Sequence, residues 1–210
     1  PGHSKSPGAG EGHRCYLKAT IPHMKNLKPA LALILGLIVV SGCGHATRRT
    51  TSLFTDDWKF HLGDTAGAEQ PGFDDSNWRL LDLPHDWSIE GNFDSLNPAS
   101  PGGGALPGGI GWYRKTFTLP AVSAGQRFFI DFDGVYRNSS VWINGHLLGK
   151  RPNGYISFRY ELTPWMNKGG ENTLAVRVDN AQQPNSRWYS GSGIYRNVWM
   201  VKTTGIHVSQ

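Results

Sequence analysis

Carboxylate side chains are the first candidates for acid–base chemistry in this chain of 210 residues. Cleavage of a glycosidic bond needs two carboxyl groups about 5 to 9.5 Å apart. No two glutamates come together at the end of a predicted strand, because those that follow residue 43 are scattered as Glu69, Glu90, Glu161 and Glu171. The sequence therefore predicts no catalytic residue within this chain.

Other reactive groups also lack the neighbours that their chemistry needs. The SGSG motif at 190–193 is not followed by the helix of a nucleophile elbow. The glycine-rich stretch 101–111 lacks the Gly-Lys-Ser/Thr of a phosphate loop. The histidines stand alone, without metal-ligand spacing, as His61, His85, His146 and His207. We therefore predict no metal site and no cofactor.

Aromatic side chains are the remaining candidates, since the chain has eight tryptophans and all follow Cys43. Aromatic rings can stack on the apolar faces of sugar rings, but they also fill the space between sheets. For the tryptophans on predicted strands we expect core packing: Trp58, Trp78, Trp142 and Trp199. Trp188 and Tyr189 lie beside Arg187 in a long loop, where a binding role and a packing role remain equally open.

The elements that must position these groups read as short strands separated by turns. Residues 172–179 and 127–134 alternate apolar and polar side chains with a period of two. Asn144 and Gly145 separate two apolar runs and predict a hairpin with a type I′ turn. Further strands are expected at 58–62, 112–119, 156–162 and 198–202. The pattern predicts an all-β jelly-roll sandwich over residues 53–210, with long loops at 88–111 and 180–194.

The N-terminal part has a different character. Residues 24–42 carry two lysines followed by an apolar run too short to span a bilayer, which is typical of a signal peptide. The following Cys43 completes a pattern similar to the lipobox of bacterial lipoproteins, where this cysteine is acylated. We expect residues 43–52 to be a tether, and residues 1–23 to be an upstream segment that is non-native or disordered. A plain secretory signal peptide or a buried apolar helix are the alternatives to the lipoprotein reading.

Charge and cysteine content restrict the partners of the folded part. Residues 43–210 hold 16 basic and 15 acidic residues, so most of the net charge of +5 belongs to the leader. A basic footprint for nucleic acid is therefore missing. Cys15 and Cys43 both precede the predicted domain, so no disulfide within that domain can stabilise it. We expect no nucleic-acid partner, and contact with a membrane only through the lipid anchor of an exported protein, in the bacterial periplasm or on the outer membrane or cell surface.

Five ordered motifs together resemble a known family. They are LPHDW at 83–87, LPGGIGWYRKTF at 106–117, the run from DGVYRN to YELT at 133–163, ENTLAVRVDN at 171–180, and SRWYSGSGIYRNVW at 186–199. This set is similar to the N-terminal sugar-binding (galactose-binding-like) jelly-roll domain of glycoside hydrolase family 2, the β-galactosidase group. The resemblance covers nearly all of residues 53–210.

The resemblance implies a multidomain retaining exo-β-glycosidase. In that family an immunoglobulin-like sandwich and a (β/α)₈ barrel follow the jelly roll, and the barrel holds both catalytic glutamates. The jelly roll lends loop residues to the rim of the sugar pocket, which here makes Arg187, Trp188, Tyr189, His85 and Asp86 the substrate-rim candidates. For His85 and Asp86, a loop-stabilising hydrogen bond from Asp86 to the backbone is the favoured alternative.

One position departs from the family pattern. Many β-galactosidases and β-glucuronidases carry an aspartate that accepts hydrogen bonds from the sugar where this chain has Arg187, a group that can only donate. The arginine could hold an anionic or heavily hydroxylated sugar, or it could pair with a carboxylate of the barrel. Substrate recognition therefore cannot be copied from those relatives.

These observations lead to two functional hypotheses. In the first, the chain is the N-terminal portion of a β-galactosidase-like enzyme acting on a β-linked sugar; it depends on C-terminal sandwich and barrel domains and is inactive alone. In the second, it is a stand-alone, lipid-anchored carbohydrate-binding module. A purely structural adhesion sandwich would leave the loop around Arg187 unexplained.

Overall fold

The computed structural model of this protein describes residues 49–119 and 125–204, which belong to one compact unit, Thr47–Gln210. The described residues form ten strands and three short 3₁₀ turns, at Trp87–Glu90, Pro101–Gly103 and Thr163–Trp165, and contain no α-helix. The strands are β1 (Thr50–Leu53), β2 (Trp58–Leu62), β3 (Arg79–Leu81), β4 (Gly109–Thr118), β5 (Gln126–Phe132), β6 (Ser139–Ile143), β7 (His146–Arg151), β8 (Phe158–Glu161), β9 (Glu171–Asn180) and β10 (Val198–Thr204).

The strands build two antiparallel sheets packed face to face. One sheet has the order β1-β10-β5-β8, and the other has the order β3-β2-β4-β9-β6-β7. The long pair β4 and β9 stays in register from Gly109 opposite Asn180 to Thr118 opposite Glu171. The predicted all-β sandwich is confirmed.

The period-two patterns place the core between the sheets. Leu174, Val176 and Val178 on β9 are fully buried in the main hydrophobic cluster. From the opposite sheet, Phe128, Ile130 and Phe132 of β5 enter the same cluster. Successive side chains of a strand point to opposite faces of its sheet. The apolar run of β9 therefore marks the inner face of the six-stranded sheet, and that of β5 marks the inner face of the four-stranded sheet. The facing predicted for both strands is confirmed.

The Asn-Gly hairpin forms between β6 and β7 as predicted. Asn144 has φ of 51° and Gly145 has φ of 81°, the left-handed geometry that a two-residue type I′ turn requires. The Asn144 side chain also accepts a hydrogen bond from the Thr173 backbone N–H at 2.9 Å. The turn is thereby attached to β9, which fixes the position of the hairpin at the sheet edge.

Of the strand tryptophans expected to pack in the core, Trp58 does so between the sheets, whereas Trp78 and Trp142 pack against a second hydrophobic cluster outside them. Trp58 is fully buried between the sheets. Trp142 alternates with the inward-facing Val141 and Ile143, so its ring lies on the outer face of the six-stranded sheet, stacked on Trp112 at 5.3 Å between centroids. Trp78 packs in this outer cluster as well, and Trp199 is only partly buried.

Two edge strands were not predicted. Residues 50–52, assigned above to the tether, belong to β1, which pairs with β10. β3 pairs with β2 over three residues. All four residues of β1 are exposed and its TTSL sequence lacks alternation, so no hydrophobic pattern marks it. The strand pairing thus begins three residues before the predicted domain start.

The predictions for the leader lie outside the described residues. They concern the upstream segment 1–23, the signal peptide 24–42 and the acylated Cys43, all within the first 48 residues. Among the residues that the structure describes, no helix is long and apolar enough to cross a membrane.

Candidate functional site

The loop that joins β9 to β10 is fixed at both ends by backbone and amide contacts. Asn180, the last residue of β9, is buried and donates through Nδ2 to the Gly191 carbonyl at 2.9 Å. Gly193 forms a reciprocal pair of backbone hydrogen bonds with Tyr136, each 2.9 Å long. These contacts give a long loop a defined shape.

Gly193 has to be glycine for steric reasons. Its φ is +128°, which side chains of L-residues rarely adopt. A Cβ placed there would lie 2.6 Å from the His85 carbonyl oxygen and closer still to the Tyr113 hydroxyl. The glycine thus allows the loop to pass directly over the segment that begins at His85.

Asp86 ties the two long loops together. Its Oδ1 accepts the backbone N–H of Ser88 at 3.0 Å and that of Ser192 at 2.8 Å. Its Oδ2 accepts the hydroxyl proton of Tyr189. Burial, together with this contact to a carboxylate, raises the pKa of Tyr189 well above its ordinary value. Asp86 therefore makes the loop-stabilising backbone contacts considered above, and Tyr189 turns toward Asp86.

His85 lies behind this tie and is largely buried. Its Nδ1 is 2.7 Å from the Tyr113 hydroxyl, and its Nε2 is 2.8 Å from Arg79 and 3.2 Å from Glu90. Burial lowers the pKa of His85, although the nearby Glu90 carboxylate acts in the opposite direction. The imidazole thus connects β4 through Tyr113, β3 through Arg79 and the first 3₁₀ turn through Glu90.

Arg187 and Trp188 face a different space. They border a cavity of about 430 Å³ whose other lining residues are Tyr136, Tyr155, Asn185 and Ser186. Both side chains are exposed, and Arg187 forms no hydrogen bond or ion pair with another described residue. Of the five predicted rim residues, the structure brings Arg187 and Trp188 together at this cavity, and it joins Tyr189 to Asp86 beside the buried His85.

A larger cavity of about 690 Å³ adjoins the first at Tyr155. Asp133 lines it and accepts a hydrogen bond from Trp199 Nε1 at 2.8 Å. The nearby Asp131 is held in a two-pronged ion pair with Arg159, at 2.5 and 2.6 Å. These carboxylates therefore have structural partners. Within 49–119 and 125–204, no group of three or more metal-ligating side chains comes together.

Sequence reasoning missed the residues that build the cavity wall around Trp188. Tyr136 follows β5 and Tyr155 lies between β7 and β8, which is 52 and 33 positions before Trp188. Both tyrosines lie within the family-like run at 133–163, but neither belongs to an alternating strand pattern, and that run does not indicate which of its residues would line a cavity. Only the Asn-Gly-Tyr run at 153–155 signals a turn, and nothing in it indicates which loop it would meet.

This chain is similar in sequence to known proteins. Residues 111–205 match the family model described as glycosyl hydrolase 2 galactose-binding domain-like. The β-galactosidase BoGH2A of Bacteroides ovatus is 65% identical over 160 residues, which covers 76% of this chain and 19% of that protein. A β-glucuronidase of Formosa agariphila is 33% identical over 177 residues, covering 78% of this chain and 18% of its own length.

A solved structure shows the same architecture. The crystal structure of a β-glycosidase from Bacteroides vulgatus superposes with a TM-score of 0.71 at 52% sequence identity, covering 74% of this chain and 20% of that one. The present chain thus spans about a fifth of the length of the relatives that it matches.

Proposed function

Because residues 111–205 belong to the glycosyl hydrolase 2 galactose-binding domain-like family, we propose that this chain supplies the non-catalytic N-terminal jelly roll of a retaining, β-galactosidase-like exo-glycosidase. In this proposal the two carboxyl groups that cleave the sugar belong to a barrel domain of the same protein. The described domain shapes the pocket and supports the barrel. The relatives above, named as a β-galactosidase, a β-glucuronidase and a β-glycosidase, support this choice of reaction class.

The observation that carries the proposal is that Arg187 and Trp188 are exposed side by side on the loop between β9 and β10, where they border a cavity. The loop that bears them is fixed through Asn180, Gly193 and the Asp86 carboxylate, so little ordering entropy remains to be lost when a ligand binds. An exposed guanidinium on a rigid loop offers several donors to sugar hydroxyls. Its contribution would be to hold the terminal sugar in place while groups elsewhere perform the chemistry.

The test is hydrolysis of a chromogenic β-D-galactoside and of the matching β-D-glucuronide. We expect no turnover by the chain of 210 residues, and turnover by the longer polypeptide proposed here. In the longer protein, Arg187→Ala should lower kcat/KM by about 10- to 100-fold, because a charged group that holds the substrate is lost. Arg127→Ala is the control, since that exposed arginine pairs with Glu161 at 3.4 Å on β5 and β8, and it should leave kcat/KM unchanged. Turnover by the 210-residue chain itself would overturn the proposal.

A stand-alone carbohydrate-binding module is the second candidate, and the exposure of Trp188 favours it. Such a module would bind galactosides or β-glucans with micromolar affinity and without help from any other domain. Calorimetry with the 210-residue chain separates the candidates. Tight binding supports the module, whereas binding no stronger than the millimolar range supports the domain of a larger enzyme.

We also propose that the protein is exported as a lipoprotein with its lipid on Cys43. The support is the charged start, the short apolar run and the Val-Ser-Gly-Cys sequence at 40–43. Expressed with its leader in a bacterium, the protein should be found in the membrane fraction, and Cys43→Ser should move it to the soluble exported fraction. An unchanged membrane fraction for Cys43→Ser would contradict the proposal.

A further inference from the structure

The sequence contains two Asn-Gly pairs, Asn144-Gly145 and Asn153-Gly154. The side-chain amide of an asparagine can be attacked by the backbone nitrogen of the next residue, and a glycine there has no side chain to obstruct the approach. The reaction needs an amide nitrogen that is free to leave, an amide carbon close to the attacking nitrogen, and access of water. The surroundings of each amide therefore decide which pair reacts.

The amide of Asn144 is held by hydrogen bonds on both of its atoms. Its Nδ2 donates to the Trp165 carbonyl at 2.8 Å and to Asn172 Oδ1 at 2.9 Å. Its Oδ1 accepts the backbone N–H of Thr173 at 2.9 Å. Attack on this amide would first require these three bonds to break, which is a local opening of the hairpin.

The amide of Asn153 is exposed in the loop between β7 and β8. Its Oδ1 accepts the backbone N–H of Tyr155 at 2.8 Å. Its Nδ2 forms no hydrogen bond with another residue that the structure describes. The leaving nitrogen of Asn153 is therefore free and in contact with water.

The hydrogen bond from Tyr155 also brings the reacting atoms together. A side-chain oxygen that accepts the N–H two residues on forms an Asx turn. This turn folds the side chain back over the following peptide unit, so that Cγ of Asn153 faces the backbone nitrogen of Gly154, as a reaction between the two requires. The same N–H stabilises the negative charge that develops on Oδ1 during attack.

The attacking nitrogen of Gly154 is not engaged elsewhere. Among the described residues, no acceptor takes its backbone N–H. The Gly154 carbonyl accepts the Tyr195 hydroxyl at 2.9 Å, which holds the peptide in place without using its nitrogen. All three conditions of the reaction are thus met at Asn153, and the first is not met at Asn144.

We propose that Asn153 is a site of spontaneous deamidation in the folded protein, and that Asn144 is protected. Hydroxide removes the N–H proton of Gly154, and the nitrogen bonds to Cγ of Asn153. The Cγ–Nδ2 bond breaks, and the nitrogen leaves as ammonia with a proton taken from water. Water then opens the five-membered imide at either carbonyl and leaves aspartate or isoaspartate. One water is consumed, one ammonia is released, and nothing is oxidised or reduced.

The modification changes the surroundings of Tyr155, which lines both cavities. Aspartate at position 153 adds a negative charge but keeps the acceptor for the Tyr155 N–H. Isoaspartate adds a methylene group to the backbone directly before Gly154, and this displaces Tyr155. The Tyr155 ring contacts Tyr136 with centroids 5.3 Å apart, and its hydroxyl accepts the Trp188 indole at 3.3 Å, so both contacts weaken. The inference requires only the folded chain and water, and it does not depend on the proposed function.

The experiment is incubation of the folded chain of 210 residues in mildly alkaline buffer, followed by peptide mapping with mass spectrometry. Replacement of NH₂ by OH increases the mass of the peptide, and fragmentation assigns the change to one asparagine. We expect Asn153 to convert at least about tenfold faster than Asn144, because Asn144 reacts only after local opening. The same chain in guanidinium chloride is the matched control, and there the two rates should become similar because both asparagines precede glycine.

Three outcomes would overturn the proposal. They are equal rates at Asn153 and Asn144 in the folded protein, absence of conversion at Asn153 until the chain is unfolded, and a rate difference that persists in guanidinium chloride, which would assign it to neighbouring residues in the sequence.

The displacement of Tyr155 has its own test in near-ultraviolet circular dichroism. The variant Asn153→Asp carries the charge with an unaltered backbone, and its spectrum should match that of the wild type. The isoaspartate form, isolated by chromatography, should differ from both because the aromatic contacts of Tyr155 change. An isoaspartate spectrum identical to that of Asn153→Asp would contradict the displacement.

Discussion

At the scale of single residues, Asp86 and His85 hold two loops together at one end of the sandwich by hydrogen bonds. Asp86 accepts two backbone N–H groups and one tyrosine hydroxyl. His85 connects Tyr113, Arg79 and Glu90 through its two ring nitrogens. Each acceptor in this cluster is matched by donors, as burial of polar groups requires.

The buried imidazole predicts a stability that depends on pH. Burial lowers the pKa of His85 below its ordinary value near 6.5, so the folded protein binds a proton less readily than the unfolded chain does. The stabilising contribution of neutral His85 is therefore present above about pH 6.5 and is lost as the pH falls through the lower pKa of the folded state.

Urea unfolding between pH 7.5 and pH 5 measures this effect. The free energy of unfolding of the wild type should fall across that interval, and His85→Gln should show a shallower fall because the amide does not titrate. The remaining slope belongs to other groups such as the Glu90 carboxylate, which faces the imidazole. If the free energy of unfolding fell equally with pH in the wild type and in the variant, His85 would have the same pKa in the folded and the unfolded state.

At the scale of elements, the loop that carries the candidate site depends on the close passage of Gly193 over the segment at His85. Adding a Cβ at Gly193 brings two penalties, one from the positive φ and one from overlap with the His85 carbonyl and the Tyr113 hydroxyl. Gly169 is the reference for a positive φ without overlap, because its φ is +75° and nothing lies within 4 Å of an added Cβ. The φ of +128° at Gly193 lies further from the left-handed region and adds strain of its own.

Comparison of Gly193→Ala with Gly169→Ala should show how much the Gly193 substitution costs beyond an ordinary left-handed backbone. We expect Gly169→Ala to cost about 1 to 2 kcal/mol of unfolding free energy for the left-handed backbone, and Gly193→Ala to cost about 1 to 3 kcal/mol more for overlap in a packed site. Denaturant titration measures both values. Equal losses would mean that the loop moves away from His85 at little cost.

The elements differ in how far the sequence predicts them. β2 has the predicted bounds, β5 and β9 lie within two residues of theirs, and the β6–β7 hairpin turns at the predicted Asn-Gly pair, because alternation and an Asn-Gly turn are local signals. The edge strands β1 and β3 are short and largely exposed, so they depend on a neighbouring strand for pairing and leave no pattern of their own.

The candidate site also contains residues that the sequence indicates and residues that only the fold brings in. Arg187 and Trp188 stand out because their residue types are unusual for a loop rich in glycine and serine. Tyr136 and Tyr155 meet them only through the folded arrangement of three separate loops. Contacts between loops distant in sequence have no local signature, so the tyrosine wall of the cavity could not be predicted; Arg187 and Trp188 could be selected as candidates, and their role as rim residues stays a prediction.

At the scale of the whole molecule, one hydrophobic cluster joins both sheets. It includes Ile130 and Met200 from the four-stranded sheet, and Phe60 and Val176 from the six-stranded sheet. Neither sheet could bury its inner face without the other, and a single shared core favours all-or-none unfolding in a domain of this size. The outer cluster around Trp112 lies on the back of the six-stranded sheet and depends on that sheet for its position.

The two sheets should therefore unfold together. Far-ultraviolet circular dichroism follows the strands. Tryptophan emission follows the core through the buried Trp58 and Trp87, and the outer cluster through the buried Trp112. We expect both signals to give the same denaturant midpoint and the same slope within error. The comparison is best made in Trp188→Phe, since the exposed indole would otherwise add a signal from the loop that does not report on the core. Two separated midpoints in that variant would show that the sheets, or the outer tryptophan cluster, form independent units, and the site loop would then be attached to only one of them.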